Sequence, residues 1–133
     1  HLEPLSMNNN TLLLIIKFRK LMLQNQILEL YINQIFLGQR AYGFAEAAIT
    51  YFGKPLDKLS IAEYAMLAGL PKAPSSFNPV VNKNRARDRQ LYVLGRMRDL
   101  DFIKDREYDT AVNQKIIITF WENQKLIIEF WFF

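Results

Sequence analysis

The chain has 133 residues, a net charge of +4, half of its residues apolar and 14% aromatic. That is enough apolar material for one domain with a core, and too much for a disordered tail. Cysteine is absent and the single histidine is His1, which excludes disulfide scaffolds, Cys-based metal sites, a His-dependent triad and a multi-histidine centre built from this chain.

The first zone, residues 1–25, is Asn-rich, then apolar, then basic, and carries no assignable function. Its apolar run Leu12 to Ile16 is stopped by Lys17, far short of a membrane span. The polar "SMNNNT" before that run and the lack of a small-residue cleavage site argue against a signal peptide. A start at His1, expected to be frayed, reads as a processed end or a piece of a longer text.

The second zone, residues 26–112, has caps, turns and periodicity that agree with one another. In "ILELYINQIFLG", Ile27, Leu28, Tyr31 and Ile35 recur at helical spacing, and Gly38 stands where a left-handed C-terminal residue is wanted. A second helix is expected through "FAEAAITYF", stopped by Gly53 and Pro55. Ser60 and Glu63 form an S-x-x-E capping box flanked by a Leu59–Tyr64 staple, so a short helix should follow and end at Gly69. Pro71, Pro74 and Pro79 make residues 70–82 an ordered loop or a run of turns. Helical spacing resumes from Lys83 to Leu100, with Leu91, Leu94 and Met97 inward and Arg85, Arg89 and Arg96 on another side. A further short helix is expected in "KDREYDTAV".

Lys83 to Arg106 holds eight basic residues against four acidic ones, which accounts for the whole net charge. Such a stretch is either a solvated helix face or a patch for an acidic partner. The third zone, residues 113–133, is an unassigned apolar tail in which "NQKIIITFW" is echoed by "NQKLIIEFW". Runs of this kind read as strands or as an interfacial segment, and the closing "FWFF" is an aggregation hazard if exposed.

From Gln26 to about Val112 the sequence resembles the peptidoglycan glycosyltransferase domain of class A, bifunctional penicillin-binding proteins. Ile27, Leu28, Glu29, Tyr31, Asn33 and Gly38 fit the pattern K-x-x-I-L-E-x-Y-L-N-x-x-x-x-G, with Gln24 in place of Lys. The match continues through Gly43, Ala47, Ala48, Tyr51 to Lys54, Leu59, Glu63, Gly69, Pro74 and the "FNP" of Phe77, Asn78 and Pro79, then Ala86, Arg89, Leu94 and Met97. The resemblance implies a mainly α fold, a fragment of a lysozyme-like helical domain that polymerises lipid II. Gly38, Gly43, Gly53, Ser60, Glu63, Gly69, Pro74, Asn78 and Pro79 are then framework positions.

Glycosyl transfer to a sugar hydroxyl needs a base for the hydroxyl proton and positive charge for the departing lipid pyrophosphate. The family places its catalytic glutamates in E-D-x-x-F-x-x-H-x-G and R-K-x-x-E motifs, and this sequence contains neither. "FRKLMLQ" has Arg19 and Lys20, but Leu23 occupies the position of the acid. No catalytic residue is therefore assigned. Glu29, on an amphipathic stretch, reads as a solvated or paired acid. Tyr31, Asn33, Lys54 and Arg89 are the substrate-binding candidates, each weighed against plain packing or a surface role. No cofactor is expected of this chain; a divalent cation belongs to the full-length family enzyme.

The resemblance implies lipid II, the growing glycan strand and a membrane surface as partners, at the periplasmic face of a bacterial inner membrane, with no nucleic acid. The missing motifs suggest a truncated or frame-disrupted remnant, inactive alone and without transpeptidase activity. Two rivals stand beside this reading: a basic helical module that binds nucleic acid or anionic membrane, and a non-catalytic remnant that no longer folds stably.

Overall fold

The structure is a computed structural model that describes residues 9–122 and 125–131, with side chains described as far as residue 120 except that of residue 18. The readings made on His1 and on the last two residues of "FWFF" lie outside the described residues. The chain divides into two compact units, residues 1–32 and 33–133. The fold is mainly α, as expected.

Helix α1 (Asn9–Gln34) runs through the expected boundary at residues 25 and 26 without a break. It leaves its large apolar side chains exposed, among them Leu14, Leu21, Ile27 and Leu30. The helix stops at Gln34, not at Gly38 as expected. The reason is a tight reversal over residues 35–43. Phe36 and Tyr42 form an isolated antiparallel bridge, and the Ala41 amide donates to the Gly38 carbonyl at 2.8 Å. The two residues between, Gln39 and Arg40, both have positive φ (45° and 59°), as a type I′ turn requires. Gly38 therefore opens a hairpin-like turn instead of capping a helix.

The second unit is built on α2 (Phe44–Phe52), α3 (Ile61–Ala68), α4 (Pro74–Phe77), α5 (Lys83–Asp99) and α6 (Asp105–Asn113), with a 3-10 turn at Leu56–Lys58. Helix α2 ends as expected on Gly53, whose φ of 64° lets its amide donate to the Ile49 carbonyl. Helix α3 starts on the expected capping box. Tyr64, paired with Leu59 as a staple in the sequence, gives its hydroxyl to the Leu56 carbonyl. The proline-rich stretch is a set of turns around the one-turn α4. Asn82 caps α5 by accepting from the Arg85 amide at 3.2 Å.

The alanines of α3 let it approach α5 closely: Ala62, Ala65, Met66 and Leu67 are buried, as are Ala86, Gln90 and Leu94 on α5. Leu91 and Met97 are half-buried, so the inward face centres on the i, i+4, i+8 series 86, 90, 94. The two copies of the C-terminal repeat become the antiparallel strands β1 (Ile116–Glu122) and β2 (Lys125–Trp131). Ile116, Ile118 and Phe120 alternate inward and join the core cluster, with β1 packed on α2. The apolar tail thus supplies core side chains to the second unit.

Candidate functional site

Two framework clusters position the candidate residues. The first joins the turn after α1 to the "FNP" segment. The Tyr51 hydroxyl, on α2, donates to the Leu37 carbonyl at 2.7 Å. Burial pushes its phenol above the ordinary range. Asn78 donates through Nδ2 to Gln39 Oε1 at 3.3 Å and accepts at Oδ1 from the Val80 amide at 2.9 Å. A β-carbon on Gly38 would lie 2.7 Å from the Tyr51 hydroxyl and 3.0 Å from Asn78 Nδ2. The glycine pattern, the tyrosine and "FNP" are therefore one packed joint. Gly43 closes its other side, since a β-carbon there would lie 2.3 Å from the Asn33 carbonyl oxygen.

The second cluster surrounds α3. At its N-terminus the Glu63 carboxylate accepts from the Ser60 amide at 3.0 Å and from Lys54 Nζ at 3.0 and 3.1 Å. Glu63 is buried while Lys54 is half exposed. At its C-terminus Gly69 is not left-handed (φ −76°). A β-carbon there would lie 2.6 Å from Arg89 Cγ, so the glycine makes room for the arginine stem. The Arg89 guanidinium sits 4.7 Å from the Tyr92 ring centre and 5.6 Å from that of Phe77, close enough for cation–π attraction. Its Nε is buried without a hydrogen-bond partner among the described residues.

The structure thus places Lys54 at the first turn of α3, through Glu63, and the Arg89 stem against Gly69 at the other end of that helix. Lys54 is neutralised by Glu63, whereas Arg89 has no ion pair among the described residues. Asn33 is exposed at the head of the second unit, with its carbonyl against Gly43. Tyr31 is exposed on α1, in the first unit, as is Glu29. Among the described residues, no three His, Cys, Asp or Glu side chains gather as metal ligands would. A cavity of about 300 Å³ lies between Ser60 and Ile61 on one side and Arg106, Thr110 and Gln114 on the other, and holds none of the four candidates.

One connection went unread in the sequence. Gln90 donates to the Ala62 carbonyl at 2.8 Å and accepts from Arg87, which also donates to the Val112 carbonyl at 2.8 Å. Burial lowers the Arg87 pKa from its ordinary value. The available signal was the position of Gln90 midway between Ala86 and Leu94 on the buried face, where a polar group must be hydrogen-bonded.

The transglycosylase family model matches residues 7–98. The chain belongs to the transglycosylase family. It is 60% identical over 100 residues to a Cupriavidus necator protein that bears a provisional transglycosylase name, covering 75% of this chain and 43% of that one. It is 49% identical over 107 residues to penicillin-binding protein 1A of Pseudomonas aeruginosa, covering 80% of this chain and 13% of that protein. The crystal structure of penicillin-binding protein 1A from Haemophilus influenzae superimposes with a TM-score of 0.70 at 50% identity, over 74% of this chain and 15% of that one. The chain thus spans less than half the length of these relatives. The peptidoglycan glycosyltransferase family and the mainly α, lysozyme-like helical fold implied by the motifs are the family and fold of this chain.

Among the described residues, no helix is long and apolar enough to cross a membrane.

Proposed function

We propose that this chain forms one part of a peptidoglycan glycosyltransferase that polymerises lipid II into glycan strands, and that it positions the lipid-linked pyrophosphate without performing the proton transfer. The observation that carries the reading is the α3 frame: Arg89 is held against two aromatic rings with no ion pair among the described residues, and Lys54 is fixed by Glu63 at the other end. Held positive charge of this kind suits a departing pyrophosphate, because a fixed guanidinium needs no reorganisation as negative charge develops. Lys54, with two of its three donors on Glu63, keeps one for a phosphate oxygen. Asn33, in the same unit, contributes a polar contact to the sugars, and Tyr31, in the first unit, is offered as a substrate contact on its motif position alone.

The family's two glutamate motifs are absent from this sequence, so the chain by itself supplies no base for the acceptor hydroxyl and is inactive. A divalent cation, if the full-length enzyme uses one, would share the pyrophosphate with Arg89. The complete enzyme works on lipid-linked substrate and a growing strand, which places it at the periplasmic face of a bacterial inner membrane. Nucleic acid has no part in this reading, because the glycine and proline framework serves Arg89 and the turn at Gly38, which a general basic surface would not need. The test incubates purified chain with fluorescent lipid II and separates products by size. Unchanged substrate is expected; glycan strands would contradict the reading.

A further inference from the structure

The Arg89 side chain is fixed by contacts with three helices. It leaves α5, its stem lies over the end of α3 where Gly69 has no β-carbon to obstruct it, and its guanidinium carbon is 5.6 Å from the ring centre of Phe77 on α4. Tyr92, further along α5, brings its own ring centre to 4.7 Å. Residues three apart on a helix share a face, so the Tyr92 contact is local, whereas those to Gly69 and Phe77 need the fold.

The nitrogens of that guanidinium are not equivalent. Nε is enclosed and has no hydrogen-bond partner among the described residues. Nη1 and Nη2 have no such partner either, but they are not enclosed and still meet solvent. A guanidinium grips an oxyanion side-on, through Nε and one Nη, or end-on, through both Nη atoms. Burial of Nε closes the side-on fork. The end-on fork stays open, and it fits two oxygens borne on one phosphorus.

We propose that Arg89 takes the pyrophosphate end-on, through Nη1 and Nη2 to two oxygens of one phosphoryl group, and that Tyr92 is the positioning residue that holds the guanidinium in that direction. This rests on the reading that Arg89 meets the lipid-linked pyrophosphate. What Tyr92 supplies is its π face, since its hydroxyl has no hydrogen-bond partner among the described residues. Phenylalanine should therefore replace it and leucine should not. More than half of Tyr92 is exposed, at 55%, so either change leaves the core intact.

The test titrates the isotope-labelled chain with inorganic pyrophosphate at constant ionic strength and follows the arginine side-chain nitrogens by nuclear magnetic resonance. The Arg89 Nη signals should shift, while its Nε proton exchanges with water at least about tenfold more slowly than those of the exposed Arg85 and Arg96, with and without ligand. Tyr92→Leu should weaken binding about fivefold and Tyr92→Phe less than about twofold, with α5 amide exchange unchanged in both. Arg85→Gln, an exposed charge one turn before Arg89, should also change binding less than about twofold, which a general basic surface would not allow. The proposal alone is overturned if pyrophosphate engages the Arg89 Nε proton, if Tyr92→Leu binds as tightly as the unaltered chain, or if Tyr92→Phe binds as weakly as Tyr92→Leu. Weakened binding accompanied by faster α5 exchange would mark a structural role for Tyr92 and overturns it too. In each of these cases Arg89 remains the pyrophosphate contact. If pyrophosphate leaves every Arg89 nitrogen unchanged, that reading and the proposal fall together.

Discussion

The Lys54 ammonium donates to both oxygens of the Glu63 carboxylate, at 3.0 and 3.1 Å, and the same carboxylate caps the Ser60 amide. One buried acid therefore ties the loop after α2 to the first turn of α3. Glu63→Ala removes the cap and the ion pair together, a loss of about 2 to 3 kcal/mol. Lys54→Met removes only a half-exposed partner, for about 1 kcal/mol. Urea melts of both variants should show that order.

The joint at Gly38 depends on close approach as much as on hydrogen bonds. Gly43→Ala would drive a methyl to 2.3 Å from the Asn33 carbonyl at a φ of 87°, a strained placement that should destabilise the second unit by more than about 2 kcal/mol. Asn78→Ala frees Gln39 and the Val80 amide, which should take about 2 kcal/mol. Amide exchange should quicken first at residues 35–43 in both variants.

Tyr51 makes stability fall in alkali. Its folded pKa is raised by burial above the unfolded value near 10, so its contribution is complete below pH 10 and is lost as pH rises toward the folded pKa. Absorbance titration should find a tyrosine that resists ionisation well above the ordinary phenol range. Tyr51→Phe should abolish that signature and flatten the alkaline loss, while costing about 1 kcal/mol at neutral pH through the unpaired Leu37 carbonyl.

The C-terminal hairpin belongs to the core. Ile118 is fully buried, so Ile118→Ala should cost about 2 to 5 kcal/mol. Ile117, half exposed on the other face of β1, should tolerate alanine with a change within about 0.5 kcal/mol. A chemical-denaturation pair of these two variants separates a packed strand from a loose apolar tail.

Local signals carried much of this architecture. The Ser60–Glu63 box and the Gly53 stop were legible because each is satisfied within a few residues. Gly38 misled, since a left-handed glycine suits both a helix end and a hairpin turn, and only the distant Asn78 and Tyr51 decide between them. Gly69 was correctly placed at a helix end, but its reason lies twenty residues away in the stem of Arg89. The Lys54–Glu63 pair was equally hidden: both residues were singled out, yet nothing in their spacing says that one neutralises the other. Gln90 went unread because the carbonyl it donates to, that of Ala62, meets it only when α3 lies on α5.

The most direct test of the central claim is a nuclear magnetic resonance titration of the isotope-labelled chain with a water-soluble lipid II analogue that keeps the sugar pyrophosphate. Saturable shifts at the Arg89 side chain and at Lys54, abolished by Arg89→Gln, are the expected outcome. Shifts confined to other surfaces, or unchanged by Arg89→Gln, would contradict it.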